Sequence, residues 1–141
     1  MNESTALGRT VVMRLLAAGV TDVVLAPGSR SAPLALALAE AERRDLLRLH
    51  VRIDERSAAF LALGLSKISC RPVPVVCTSG SAVANLVPAV VEASYAGVGL
   101  VAITADRPVE LRGVGASQTI DQVGFFGQHV RTAVDVVTYP E

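Results

Sequence analysis

Leu49-His50-Val51-Arg52-Ile53-Asp54-Glu55-Arg56 joins two kinds of chain without a spacer. Leu49 to Ile53 reads as a short strand, and a helix starts near Asp54. Asp54 suits the N-cap, because its carboxylate can accept from the free amides of the first turn. Glu55 then falls in that turn, where the positive end of the macrodipole favours an anion. Ser57 to Ile68 (SAAFLALGLSKI) is apolar nearly all round, which predicts a helix buried on more than one side. A strand feeding such a helix is the repeating unit of an open α/β sheet, whose ligands sit beyond the carboxyl ends of the strands. Glu55 is then a carboxylate at the lip of a hydrophobic space. The same spacing also fits a surface acid that serves only the helix start.

The pattern repeats on both sides. Asp22–Ala26 (DVVLA), Val73–Cys77 (VPVVC), Leu100–Thr104 (LVAIT) and Ala133–Thr138 (AVDVVT) read as further strands. Leu7, Val11, Val12, Leu15 and Leu16 share one helical face, with Ser4 or Thr5 as the predicted cap and Gly19 as the stop. Ala32–Ala41 reads as a helix with Pro33 in its first turn. Glu40 to Asp45 is a solvated charge run. A helix from Ser81 to about Tyr95 is predicted to kink at Pro88. Asp106–Asp121 lacks periodicity and holds Pro108 and two glycines. A loop of that length is usually functional; a short helix is predicted near Thr119 to Phe126. Apolar β-branched runs alternating with helices predict a three-layer α/β/α domain around a parallel sheet.

With 141 residues, the chain is one domain by length. At 51% hydrophobic residues it is rich in apolar surface, which predicts cover by further domains or subunits, hence a homo-oligomer. Thirteen basic and thirteen acidic residues cancel, which excludes a charge-driven nucleic-acid or membrane-surface role. Apolar runs are all too broken for a membrane span. Met1 to Ser4 is polar and reads as no secretory leader, so the expected location is the cytoplasm. Cys70 and Cys77 read as reduced thiols, and His50 and His129 are too scattered for zinc, so no metal ligands are assigned. The chain stops at Tyr139-Pro140-Glu141, just after a predicted strand, as at an internal boundary of a longer protein.

Three turns follow strands: Pro27-Gly28-Ser29-Arg30, Thr78-Ser79-Gly80-Ser81 and Ala105-Asp106-Arg107-Pro108. With Asp54-Glu55 they gather at one sheet edge, bringing an acid, two arginines and several hydroxyls. Arginine suits planar carboxylate recognition; Arg30 and Arg107 are equally readable as solvated charges or as partners of Asp54 and Asp106. A phosphate-loop G-x-x-x-x-G-K-[ST] motif is missing. Gly113-Val114-Gly115 fails as a dinucleotide fingerprint, since position 118 is Gln and no strand precedes it. Ser79 lies in T-S-G-S rather than G-x-S-x-G, and no histidine is placed to activate it.

APGSRSAPL, RIDERSAAFLALGLSK, TSGSAVANLVPAVVEA, TADRPVELRGVGASQTIDQ and FFGQHV occur in this order. Together they resemble the amino-terminal domain of the 2-succinyl-5-enolpyruvyl-6-hydroxy-3-cyclohexene-1-carboxylate synthase family, thiamine diphosphate enzymes of menaquinone biosynthesis. Ser81 and Gly99 depart from the family's usual Thr and Pro. The resemblance implies a pyrimidine-binding domain with a roughly six-stranded parallel sheet. It implies that Glu55 is catalytic, hydrogen-bonding N1′ of the aminopyrimidine and favouring its 4′-imino form. Ser79 and Gly80 would lie against the pyrimidine, and Ser29, Arg30, Arg107 and Gln118 would contact substrate. The implied substrates are 2-oxoglutarate, which is decarboxylated, and isochorismate, which receives the resulting carbanion. The diphosphate and Mg2+ ligands would lie in missing C-terminal domains, so these residues alone would be inactive. Alternatives are the same domain of another thiamine diphosphate decarboxylase or synthase, or a non-catalytic binding module of this fold.

Overall fold

Four parallel strands form one sheet in the computed structural model, which describes residues 2–136. β1 (Asp22–Leu25), β2 (Arg48–Val51), β3 (Val73–Cys77) and β4 (Leu100–Thr104) stand in the order β2-β1-β3-β4. Val23 pairs with Leu49, Leu25 with Val76 and Cys77 with Thr104. Every residue of β1 and β3 is buried, as central strands covered on both faces must be.

The helices are α1 (Glu3–Ala17), α2 (Ala32–Arg43), α3 (Glu55–Ser69), α4 (Ser81–Ala84) and α5 (Val87–Ala96). Alternation along the strands splits the core in two. Val23, Leu25 and Val76 pack with Val12 of α1 and Leu38 and Ala41 of α2. Val24, Ala26, Val75 and Cys77 pack with Ala58, Ala59 and Ala62 of α3 and with Val83, Leu86 and Ala89. The chain leaves β1 toward β2 over one face and returns to β3 over the other. Strand order therefore reverses between β1 and β3, and the crevice at their carboxyl ends is the switch point where such sheets bind ligands.

The α/β class and the parallel sheet stand as predicted; several details do not. Among the described residues the sheet has four strands rather than about six. Residues 133–136 form no strand, and their Asp135 carboxylate pairs with Arg112 of the long loop; the rest of that predicted strand lies outside the described residues. Asn2, not Ser4 or Thr5, caps α1, accepting from the Thr5 amide at 2.9 Å. Pro88 breaks its helix into α4 and α5 rather than kinking it, since its ring excludes the carbonyl four residues earlier and it donates no hydrogen bond. Thr119–Gln122 is irregular and Val123–Phe126 is a turn, and a short 3-10 helix falls at Gly127–His129. The burial of α3 is one-sided: Ala58, Ala59, Ala62 and Leu63 are inside, while Phe60 and Ile68 are exposed. Among the described residues nothing covers Phe60 and Ile68.

Candidate functional site

The turns after β1 and β3 meet at the switch point. A Cβ built on Gly28 would lie 2.4 Å from Cβ of Thr78, so only glycine lets the two backbones approach this closely. Thr78, Ser79 and Gly80 are themselves buried. Gly80 has φ +81, and a Cβ there would press on Gln118 at 3.0 Å. The tight turn thus serves both its own conformation and contact with the long loop.

Glu55 opens α3 one residue behind its cap, and it is half-buried. The capping task belongs to Asp54, whose carboxylate accepts from the Ser57 amide at 2.7 Å. That backbone hydrogen bond holds the Asp54 carboxyl below the usual range. Glu55 is therefore not the N-cap, although it stands in the first turn. At the end of β3, burial first and the nearby Glu55 second push the Cys77 thiol up to about 12.

The loop after β4 closes over this edge through glutamines. Ser79 Oγ donates to the Gln118 carbonyl at 3.0 Å, and Gln118 Nε2 donates to the Ser79 carbonyl at 3.1 Å and to Thr78 Oγ1 at 3.3 Å. Gln118 holds φ +55 to do so. Gln122 is buried; its Oε1 accepts from the Gly80 amide at 3.2 Å while Nε2 donates to the Ala105 carbonyl at 2.8 Å. One side chain thus ties the β3 turn to the end of β4. Arg107 donates from Nη2 to the Ser117 carbonyl at 2.9 Å, and its buried Nε finds no hydrogen-bond partner among the described residues.

Of the residues singled out in the sequence, Ser79, Gly80 and Gln118 touch directly, Arg107 joins them through the Gln118 neighbour Ser117, and Glu55 lies in the first turn of α3. Ser29 and Arg30 stand on the exposed β1 turn, where their side chains make no hydrogen bond or ion pair among the described residues. Arg30 does not pair with Asp54, nor Arg107 with Asp106. Asp106 pairs instead with Arg112 at 3.2 Å. Arg112 also forks onto Asp135, and that fork holds its guanidinium above the ordinary value against partial burial. Sequence reasoning missed Thr78, Arg112, Gln122 and Asp135. Thr78, Arg112 and Gln122 lay inside stretches already singled out, without a role of their own, whereas Asp135 carried no signal. A cavity of about 380 Å3 lies off the strand edge, in the loop itself, lined by Arg112, Gly113, Ile120, Asp121 and Gln122 among others.

Comparison with known proteins decides the family. The model described as thiamine pyrophosphate enzyme, N-terminal TPP binding domain, matches residues 5–125. The chain belongs to this family. The thiamine pyrophosphate enzyme domain is 60% identical, over 96% of its length, to a protein of Mycobacteroides abscessus named 2-succinyl-5-enolpyruvyl-6-hydroxy-3-cyclohexene-1-carboxylate synthase. Proteins of that name from Mycobacterium sp. (strain KMS) and Thermobifida fusca are 59% and 58% identical, over 100% and 96% of the chain. The chain spans about a quarter of the length of these relatives, at 25%, 26% and 24%.

Proposed function

We propose that residues 1–141 form the pyrimidine-binding domain of a longer cytoplasmic, homo-oligomeric synthase. That enzyme would decarboxylate 2-oxoglutarate and add the resulting succinyl-semialdehyde carbanion to isochorismate, in menaquinone biosynthesis. High identity across the whole chain to three synthases of that name supports the reading. By itself the chain supplies half a site; the diphosphate and Mg2+ ligands are expected from the rest of the protein. When bound, thiamine diphosphate supplies the carbanion chemistry.

The residues present fit its aminopyrimidine. Glu55 is a half-buried carboxylate in the first turn of α3, beside the capping Asp54 rather than serving as the cap itself, and this is the observation that carries the proposal. Its part is to hold a proton at N1′. The Ser79-Gly80 turn, pinned by Gln118 and Gln122, offers a close backbone wall to the ring. Arg107 presents a buried Nε donor without a partner among the described residues, suited to one carboxylate of isochorismate. Ser29, Arg30 and Gln118 are the remaining substrate contacts, the first two from the exposed β1 turn.

The test is Glu55→Gln in the complete enzyme. Glutamine keeps the shape and the helix but cannot share a proton with N1′. Hydrogen–deuterium exchange at C2 of bound thiamine diphosphate should slow by about 10²–10⁴, the usual worth of a positioned acid–base group. Melting curves control for folding. Unchanged exchange in a folded variant would reduce Glu55 to a helix-start carboxylate.

A further inference from the structure

Arg107 is held at its backbone as well as its side chain. Its amide donates to Asp106 Oδ1 at 2.7 Å, and its carbonyl accepts from Arg112 Nε at 2.9 Å. The same Arg112 Nε lies 3.2 Å from the other Asp106 oxygen. Arg112 then sends both terminal nitrogens to Asp135, at 2.8 and 3.3 Å. Asp106 and Arg112 therefore grip both backbone polar groups of Arg107, Asp135 holds Arg112 from the far side, and of the whole loop Arg107 is the residue whose guanidinium keeps an unpaired buried donor.

A simple loop brace would not need this arrangement. Exposed ion pairs contribute little by themselves, whereas Arg112 is only about a quarter exposed, with 23% of its side chain accessible, and Asp106 less so at 14%. A planar guanidinium can form the fork and the carbonyl contact together; an ammonium cannot. The Gly113 that follows has φ +72, and the turn it makes sends the chain away immediately after the contact is complete.

We propose that Arg112, clamped between Asp106 and Asp135, is a positioning residue that aims the Arg107 guanidinium at a substrate carboxylate. This rests on the reading that Arg107 meets that carboxylate. The test is a double-mutant cycle in the full-length enzyme, with the Kd for isochorismate measured by calorimetry and KM and kcat for each substrate. Arg107→Ala should weaken isochorismate binding about a hundredfold, as loss of a charge-assisted contact does. Arg112→Ala should weaken it about tenfold, within the range of couplings between touching residues, and leave KM for 2-oxoglutarate nearly unchanged. Arg112→Lys should not restore binding, because it lacks the fork. The double variant should bind no worse than Arg107→Ala. Additive losses, or full binding in Arg112→Ala while Arg107→Ala is impaired, would overturn the inference and leave the site reading intact. Full binding in Arg107→Ala would overturn both. If Arg112→Ala does not fold, Asp135→Asn releases only the far end of the clamp and should show the same non-additive pattern; additivity there refutes it equally.

Discussion

Gly28→Ala is the smallest change that probes the switch point, and its cost follows from the geometry. The new methyl would stand 2.4 Å from Cβ, 2.7 Å from Cγ2 and 2.9 Å from Oγ1 of Thr78. Carbon atoms in good contact sit at about 3.5–4.0 Å, so the two turns must part by roughly 1 Å. Neither is free to move. Ala26, two residues before Gly28, donates to the Val76 carbonyl at 2.8 Å, and Leu25 is in register with Val76. Thr78 is held by Gln118 from the other side. Overpacking costs about 1–3 kcal/mol, and losing the last ladder bond adds about 1 kcal/mol. We therefore expect about 2–4 kcal/mol of destabilisation, read as a lower urea midpoint at unchanged slope. Thr78→Gly removes all three contacted atoms. The double variant should regain most of the loss, less about 1 kcal/mol for the new glycine. A Gly28→Ala chain within about 0.5 kcal/mol of the parent, the ordinary scatter of harmless substitutions, would show that the turns are not locked together.

Three further outcomes follow from other parts of the chain. Asp22, at the opposite end of β1, is opposed by burial, yet hydrogen bonds with His50 at 2.9 Å and Thr21 at 3.0 Å and the charge of Arg48 leave its carboxyl lowered. A lowered folded-state value gives stability that is complete above the unfolded carboxyl pKa of about 3.9 and drains away as pH falls through the folded value. Asp22→Asn should therefore melt with a flatter pH profile below about pH 4, and an unaltered profile would remove Asp22 from the acid response. Cys77 is fully buried with its thiol pushed up to about 12, whereas Cys70 is exposed. A thiol-exchange reagent should modify one cysteine in the native chain and both in denaturant; two fast native reactions would contradict the burial of β3. Finally, Phe60, Ile68 and Tyr95 leave an apolar face on α3 and α5, at 43%, 87% and 81% exposure. The isolated chain should self-associate in sedimentation velocity, and a clean monomer at high concentration would count against that face needing cover.

Much of the fold was legible because strands and helices leave local, periodic marks. The β3 and β4 limits agree with the apolar runs VPVVC and LVAIT residue for residue. The strand-to-helix junction at Asp54 was readable because capping is decided by neighbours three residues apart. The errors fall where a local signal met a competitor. Asn2 took the cap that Ser4 and Thr5 could equally have filled. Residues 133–136 have strand composition but join no sheet edge, and the contact Asp135 makes is with Arg112, 23 positions away. One-sided burial of α3 could not be read from its sequence, because an apolar helix looks the same whether its second partner lies in this chain or outside it.

The candidate site divides along the same line. Glu55 could be singled out because a strand end, a cap and an uninterrupted apolar helix all point to one position. What makes it a site is non-local. Ser79 and Gln118 are 39 positions apart, and Gly80 and Gln122 are 42 apart. The amide of Gln122 has three partners, one on the β3 turn and two at the end of β4, and nothing in a glutamine's neighbourhood announces that. Arg107 illustrates the consequence. Beside Asp106 in sequence, it reads naturally as an ion pair, the arrangement that would quench it. The pairing that forms instead joins Asp106 to Arg112, five residues from Arg107, and takes the neighbouring acid out of competition. A free donor on Arg107 is thus a property of the closed loop rather than of the Asp-Arg dipeptide. Substitutions at Arg112 or Asp135, which no local motif marks, should bear on this site more than their distance in sequence suggests.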